Sequence, residues 1–480
     1  MIIDRLCEKR NFITVYILFS VVVVVNILTI ASPLTLTITI PQYLLVLYTL
    51  VKGEIRKSVL LHFSFVMLSL SAQGTLGMFD KAFSLYNYGT IKLFGPVRAC
   101  YLLNIIYCFL LAGSRYTMNY STLLYKFFKI ALCLCGVAFV VGICGLLVNP
   151  FYSFDSFIDY GIYAFALITS LYILLKVENH SFIKSAYYLT LACIMAGIAG
   201  SFLCYITGSV VSHYSVYDIA YTADVTIIAL TLVVGIPYIH ERMLLWLSLA
   251  LYGALLSVSL GGKNVFGIAF SLSALAYLLF FDKGTINNLK KNDRFLRPTV
   301  VIVVVAVALY VMRHLASDSM ASYKLASAAS MFSGDLDSMS RSPYIRVASL
   351  INIIDNGLSN PLALLFGHGY GGYFQDSLGL FEGIDLSNGA WKDEVIKTGR
   401  FTSGHDAMVT IPLFNGLIGA FLFIKICWLY IKRMGYNYMN SIAFFCFFLM
   451  FYFNTIYAMI GVFGLVGAEY NINGHKTDSN

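Results

Sequence analysis

Apolar runs of membrane-crossing length recur from one end of this chain to the other, and they leave few folds open. A hydrocarbon core of about 30 Å needs around 20 apolar residues per helix. Stretches of roughly that length stand at 11–31, 34–51, 58–77, 96–113, 127–148, 158–175, 185–207, 218–238, 243–260, 264–281, 298–315, 406–431 and 440–467. Unpaired backbone amides in lipid cost several kcal/mol each, so a spanning segment must be a helix or part of a closed barrel. These runs do not alternate apolar and polar residues as barrel strands would. The expected fold is all-α: a polytopic membrane bundle of about thirteen helices. Composition agrees, with 59% hydrophobic and 12% charged residues and a mean hydropathy of +0.79, where a soluble domain carries roughly 25% charge.

Lys and Arg set the orientation, because they concentrate in cytoplasmic loops. With the N-terminus inside, the inside loops hold Arg5, Lys9, Arg10, Lys52, Arg56, Lys57, Arg115, Lys126, Lys129, Lys176, Lys184, Arg242, Lys283, Lys290, Lys291, Arg294, Arg297, Lys432 and Arg433. The short outside loops hold only Lys81, Lys92, Arg98 and Lys263. The formal charge of +8 is thus explained by topology and calls for no nucleic-acid partner. Arg5, Lys9 and Arg10 before the run from Phe12 imitate a signal peptide, but the run is longer than a usual signal core and more follow. It reads as a retained first span. The last run is long for one crossing, which leaves the side of the tail open.

The ten cysteines all lie in or beside apolar runs, which argues against a disulfide framework;. Cys133 and Cys135 read as small buried hydrophobes rather than a metal or redox pair. The chain divides into helices one to eleven (1–316), a long polar interval (317–404), and the final helices and tail (405–480). The interval falls on the outer face, which in a bacterium is periplasmic.

Chemistry, if the chain has any, is expected in that interval. One amphipathic helix is signalled there. Ser342 fits the N-cap, Pro343 the first helical position and Gly357 the C′ position. Val347, Leu350, Ile351 and Ile354 would form its apolar face. Arg346 then falls in or near the first turn, where free amides and the helix dipole suit an anion. Asn360-Pro361 and the turn Gly367-His368-Gly369-Tyr370-Gly371-Gly372 follow. Its glycines permit positive φ and close approach of backbone, either to a ligand or simply to form a tight turn. His405, beside Asp406 at the start of the twelfth run, suits a general base near neutral pH or a capping residue. His368 is the weaker base candidate. Tyr370 and Tyr373 suit sugar stacking or interfacial anchoring. Asp224, inside the eighth run, is a functional carboxylate or a helix-pairing one. Arg98 opens the fourth run and either binds lipid phosphate or snorkels.

The order of these pieces resembles the bacterial O-antigen polymerase and O-antigen ligase superfamily. Arg346 is followed by Pro361, a glycine turn, a long gap, then His405 with Gly416 and Gly419 opening a helix. The motif covers about residues 257–430, and the hydropathy profile covers the whole chain. Leu350 stands where the family often has an aromatic residue, Asp406 replaces an asparagine, and Lys263 takes the place of an upstream arginine. The resemblance implies a glycosyltransferase of the bacterial inner membrane whose donor is an undecaprenyl-pyrophosphate-linked oligosaccharide. It implies no cofactor, and the residue types fit the chemistry without a metal. Arg346 and Lys263, with Arg341 behind them, would hold the pyrophosphate, and His405 would activate the acceptor hydroxyl. Gly367, Gly369, Gly371, Tyr370, Arg98 and Asp224 would contribute to substrate binding. The resemblance also suggests a chain-length regulator and a flippase as partners. Polymerase is favoured over ligase by the span count and by the chain's poverty in family consensus. A transporter of lipid-linked sugars without chemistry is the alternative from another class. It would show short loops on both faces and paired discontinuous helices.

Overall fold

The computed structural model describes residues 12–29, 32–73, 86–95, 97–114, 116–118, 122–207, 341–384, 386, 391, 393–404, 407–434, 458–467 and 469. Of the expected spans, those at 218–238, 243–260, 264–281 and 298–315 lie outside the described residues, as do Asp224, Lys263, His405 and Asp406.

Helices dominate the described chain. They are α1 (Phe12–Leu28), α2 (Leu36–Val51), α3 (Ile55–Gln73), α4 (Ala99–Ala112), α5 (Leu123–Val148), α6 (Phe154–Val177) and α7 (His180–Thr207). After the gap come α8 (Arg341–Leu358), α9 (Pro361–Phe366), α10 (Asp393–Thr398) and α11 (Ala407–Met434). A further short helix, α12, runs Ala458–Gly467. Two antiparallel two-stranded ribbons join them, β1 (Lys92–Phe94) with β2 (Val97–Arg98), and β3 (Phe374–Gln375) with β4 (Arg400–Phe401).

Among the described residues, four helices are long and apolar enough to cross a membrane: Pro33–Val51, Leu123–Val148, Phe154–Val177 and Ala407–Arg433. In the most apolar stretch of α5 only 28% is buried inside the protein. Leu132, Phe139, Val140 and Leu147 point outward from it. Continuous apolar surface of this kind is not tolerated in water; it fits lipid.

The helix starts follow local chemistry. Thr122 and Ser153 accept the amide protons of Tyr125 and Ser156, each at 3.2 Å, and so cap α5 and α6. Asn179 does the same for Phe182 at 2.7 Å ahead of α7. Each such cap is worth about 1 kcal/mol. Thr122 explains why α5 begins several residues before the apolar run expected from 127.

The bundle has two chemically different ends. At one end Arg56 donates its Nε–H to the Val177 carbonyl at 3.0 Å and lies over the Tyr116 ring. Lys176 donates to the Tyr116 carbonyl at 3.0 Å. Lys52 and Lys129 sit over Tyr48 and Tyr125. Residues 52–57, 116–118 and 176–180 therefore gather at one end, in keeping with the charge bias. The loop 149–153 and the described part of the polar interval meet at the other. There the Ser153 amide donates to Gly371 at 2.9 Å, and the Ser156 hydroxyl to Thr402 at 3.3 Å.

Of the last apolar run, residues 458–467 are described, as α12. Phe463 stacks on Phe63 of α3 with ring centroids 5.6 Å apart. Gly467 lies against Tyr187, near the start of α7, and Glu469 interacts with Glu178 at the end of α6. Met434, at the end of α11, follows Lys432 and Arg433, and Tyr430 one turn earlier also meets Glu178 and Glu469. Met434 and Gly467 thus both lie at the basic end.

Candidate functional site

The glycine turn is built into the bundle. Helix α11 is broken at Gly416, whose φ is 60° and ψ −159°. An unbroken helix would direct the Leu413 and Phe414 carbonyls to the amides four residues on. Here they accept from His368 at 2.7 Å and from Gly369 at 3.1 Å. The Tyr370 amide donates to the Ala138 carbonyl of α5 at 2.9 Å, and the Gly372 amide to Gly369 at 3.1 Å. The Tyr152 hydroxyl donates to the His368 carbonyl at 2.9 Å. Asn415 Nδ2 donates to the Leu134 carbonyl at 2.7 Å and pins the broken helix to α5.

Ala138 and Gly142 lie about 15 and 9 Å below the end of α5, at 1.5 Å per residue. Irregular backbone at that depth is tolerated where protein satisfies its amides, and these bonds do so. The glycines at 367, 369 and 371 all take positive φ. A Cβ on any of the three would meet protein backbone: Phe414 and Asn415, Gly142 and Ala138, and Ser153 respectively. The close approach they permit is to the chain itself. Tyr370 is fully buried, with its ring 6.0 Å from Tyr160 and 5.5 Å from Phe414. It is placed as a packing residue, whereas Tyr373 is only half-buried.

Helix α8 packs on α9, α11 and β3. It already includes Arg341, so Ser342 is not its cap, and it runs through Gly357 to Leu358. A Cβ at Gly357 would press on Leu364 of α9 at 2.9 Å, so this glycine serves helix packing rather than helix ending. The buried face carries Ile345, Ala348, Ser349, Asn352 and Ile353, whereas Ile354 is exposed. Polar bonding turns the helix away from the face hydropathy suggested. Asn352 Nδ2 donates to Asp376 Oδ1 at 2.7 Å. The Asp376 carboxylate also accepts from the Leu380 and Phe381 amides at 2.8 and 2.7 Å. Arg346 is half-buried and is the sixth residue of α8. It stands in the second turn, beyond the four free amides of the helix start.

Phe374, Phe381, Trp391 and Phe401 form an aromatic core under the interval, with Trp391 and Phe401 centroids 4.6 Å apart. Trp391 Nε1 donates to the Ser403 carbonyl at 2.9 Å and ties this core to the approach to α11. His368 is half-buried, and burial holds its imidazole below the ordinary value, hence neutral near pH 7;. Arg98 is placed elsewhere, at the N-cap position of α4, with Nη1 donating to Gly89 at 3.2 Å.

Sequence reasoning missed Arg400. Its guanidinium carbon lies 3.6 Å from the centroid of Phe151 and 5.8 Å from that of Tyr373. Only Gly399 before an Arg-Phe pair, ahead of the return to α11, marked the position.

Comparison with protein-family models, with curated proteins and with solved structures gave no match.

Proposed function

We propose that this chain is a glycosyltransferase that joins undecaprenyl-pyrophosphate-linked oligosaccharides, an O-antigen polymerase. One observation supports it above the rest. The segments carrying Arg346, the glycine turn, and Gly416 with Gly419 pack into a single unit, at the end of the bundle away from the basic loops. In this reading the basic end faces the cytosol of a bacterium, and the interval 317–404 faces the periplasm. The first twelve apolar runs cross the inner membrane.

The reaction breaks the bond between the donor's anomeric carbon and the pyrophosphate oxygen. A new bond forms from an acceptor sugar hydroxyl to that carbon. His405 takes the hydroxyl proton and later releases it to solvent. The electron pair leaves with the pyrophosphate, whose developing charge is met by Arg346, Arg341 and Lys263. Fixed cations act most strongly where water is excluded. The transporter reading draws less support, because the break in α11 is filled by the chain's own amides and leaves the Leu413 and Phe414 carbonyls engaged.

The test is turnover by purified protein in vesicles, supplied with a lipid-linked repeat unit. Wild type should yield longer lipid-linked glycans, and H405A and R346A should each lose most of that activity. Activity that appears only with lipid A-core as acceptor would make it a ligase. Unchanged activity in both variants would remove the mechanism.

A further inference from the structure

Arg400 is held in an unusual way for a cation. Its guanidinium lies over the Phe151 ring at 3.6 Å, with Tyr373 on another side at 5.8 Å. Its Nε is buried and has no hydrogen-bond partner. Among the described residues no carboxylate lies within salt-bridge distance of it. A buried donor left unbonded is destabilising, and a guanidinium on an aromatic face keeps its edge donors free for an acceptor in its plane.

The ring beneath it is fixed. The Ser153 amide bonds to Gly371 and the Tyr152 hydroxyl to the His368 carbonyl, so the loop carrying Phe151 is tied to the glycine turn. Arg400 is in turn fixed by the pairing of β4 with β3, which follows that turn. The cation thus stands beside the glycine turn, at the polar end of the bundle, a few residues before the chain re-enters it as α11.

We propose that Arg400 binds the phosphoryl oxygens of a lipid-linked anion, with Phe151 holding the guanidinium plane for two-point contact. This rests on the reading of the chain as a lipid-pyrophosphate glycosyltransferase, and adds to it a binding residue that the family motif does not include. The same chemistry would also accept an ordinary phospholipid headgroup, so the experiment separates the two.

Full-length protein in phosphatidylcholine nanodiscs is titrated with a polyprenyl pyrophosphate. Binding is followed in wild type, R400A, R400K and F151A, with phosphatidylglycerol as competitor and thermal melts to check folding. Two-point contact predicts that R400A weakens binding by about tenfold or more, and R400K by roughly threefold to tenfold, because lysine keeps charge but not the fork. F151A should weaken it while leaving the charge in place. Should R400A misfold, R400K and F151A carry the test. Affinities within twofold of wild type in R400K and F151A, or equal competition by phosphatidylglycerol, would overturn the proposal. Wild type that extends lipid-linked glycan while the variants keep their affinity sinks this inference alone. Wild type that neither binds the probe nor extends glycan sinks the proposed function with it.

Discussion

Gly416 and Gly367 occupy one another's only room. A Cβ at Gly416 would stand 2.6 Å from the Gly367 amide nitrogen and 2.5 Å from the Leu365 carbonyl. A Cβ at Gly367 would meet the Phe414–Asn415 peptide. Each residue also holds a positive φ, 60° and 78°. An L side chain at such a φ costs about 1–3 kcal/mol before any clash is counted.

G367A and G416A should therefore each destabilise the protein by at least about 2 kcal/mol. The controls are G53A and G383A, which have positive φ but nothing within 4 Å of the added methyl. They should lose only the smaller backbone contribution. Thermal unfolding in detergent reads the difference. Equal losses at all four positions would show that the turn is not wedged between α9 and α11.

Where sequence and structure part company, distance along the chain is the reason. Apolar runs located α5 and α6 but set their starts four residues late, because the polar caps Thr122 and Ser153 lie outside those runs; Asn360 likewise caps α9 through Ala363 at 3.3 Å. The gathering of basic loops was legible because Lys and Arg counts carry it. The burial of Tyr370 was not, since its partners Ala138 and Tyr160 lie more than 200 residues earlier. Arg400 and Phe151 are just as remote, and no spacing rule links them. Gly357 misled for a related reason. A glycine near a helix end reads as a stop, and only the tertiary contact with Leu364 shows that it makes space instead.

A buried histidine holds the first helices together. His62 Nδ1 lies 2.8 Å from the Tyr88 hydroxyl, and Nε2 lies 3.1 Å from Asn104 Oδ1. Asn104 Nδ2 donates to Thr169 at 3.1 Å, so Oδ1 is the acceptor and His62 carries its proton on Nε2;. Nδ1 then accepts from Tyr88. Y88F leaves that nitrogen buried without a donor, which costs about 1–3 kcal/mol. Y43F, which only frees the Tyr88 carbonyl of its 2.6 Å bond, gives the comparison for loss of a hydroxyl nearby. A Y88F melt indistinguishable from wild type would mean that water or another group serves Nδ1.

Glu178 makes stability depend on pH. Burial first, and Glu469 second, push its carboxyl up from 4.5 to about 7. The folded state then binds this proton more tightly than the unfolded state. The resulting stability is present below about pH 4.5 and is lost as pH rises through about 7;. Arg56 and Lys176 stand nearby, but they donate to the Val177 and Tyr116 carbonyls. E178Q keeps the shape and removes the charge. It should raise the melting temperature over wild type at pH 8 and lose that advantage at pH 5. A difference that does not change with pH would refute the carboxylate pairing.

The contacts that gather Arg56, Tyr116, Lys176 and Val177 at one end also predict which residues share a compartment. Ser377 is exposed on the polar interval, and Lys52 and Arg433 are exposed at the basic end. Single cysteines at 377, 52 and 433, in a cysteine-free background, can be challenged with an impermeant maleimide in cells whose outer membrane is permeabilised. S377C should react in intact cells, while K52C and R433C should react only after lysis, because basic loops are retained on the cytosolic side. A reporter fused after Asn480 should be active in the cytosol, given that Glu469 stands beside Glu178 at the basic end. Labelling of residues 377 and 52 from the same side would contradict the two-ended bundle, and would remove the periplasmic placement on which the lipid-pyrophosphate reaction depends.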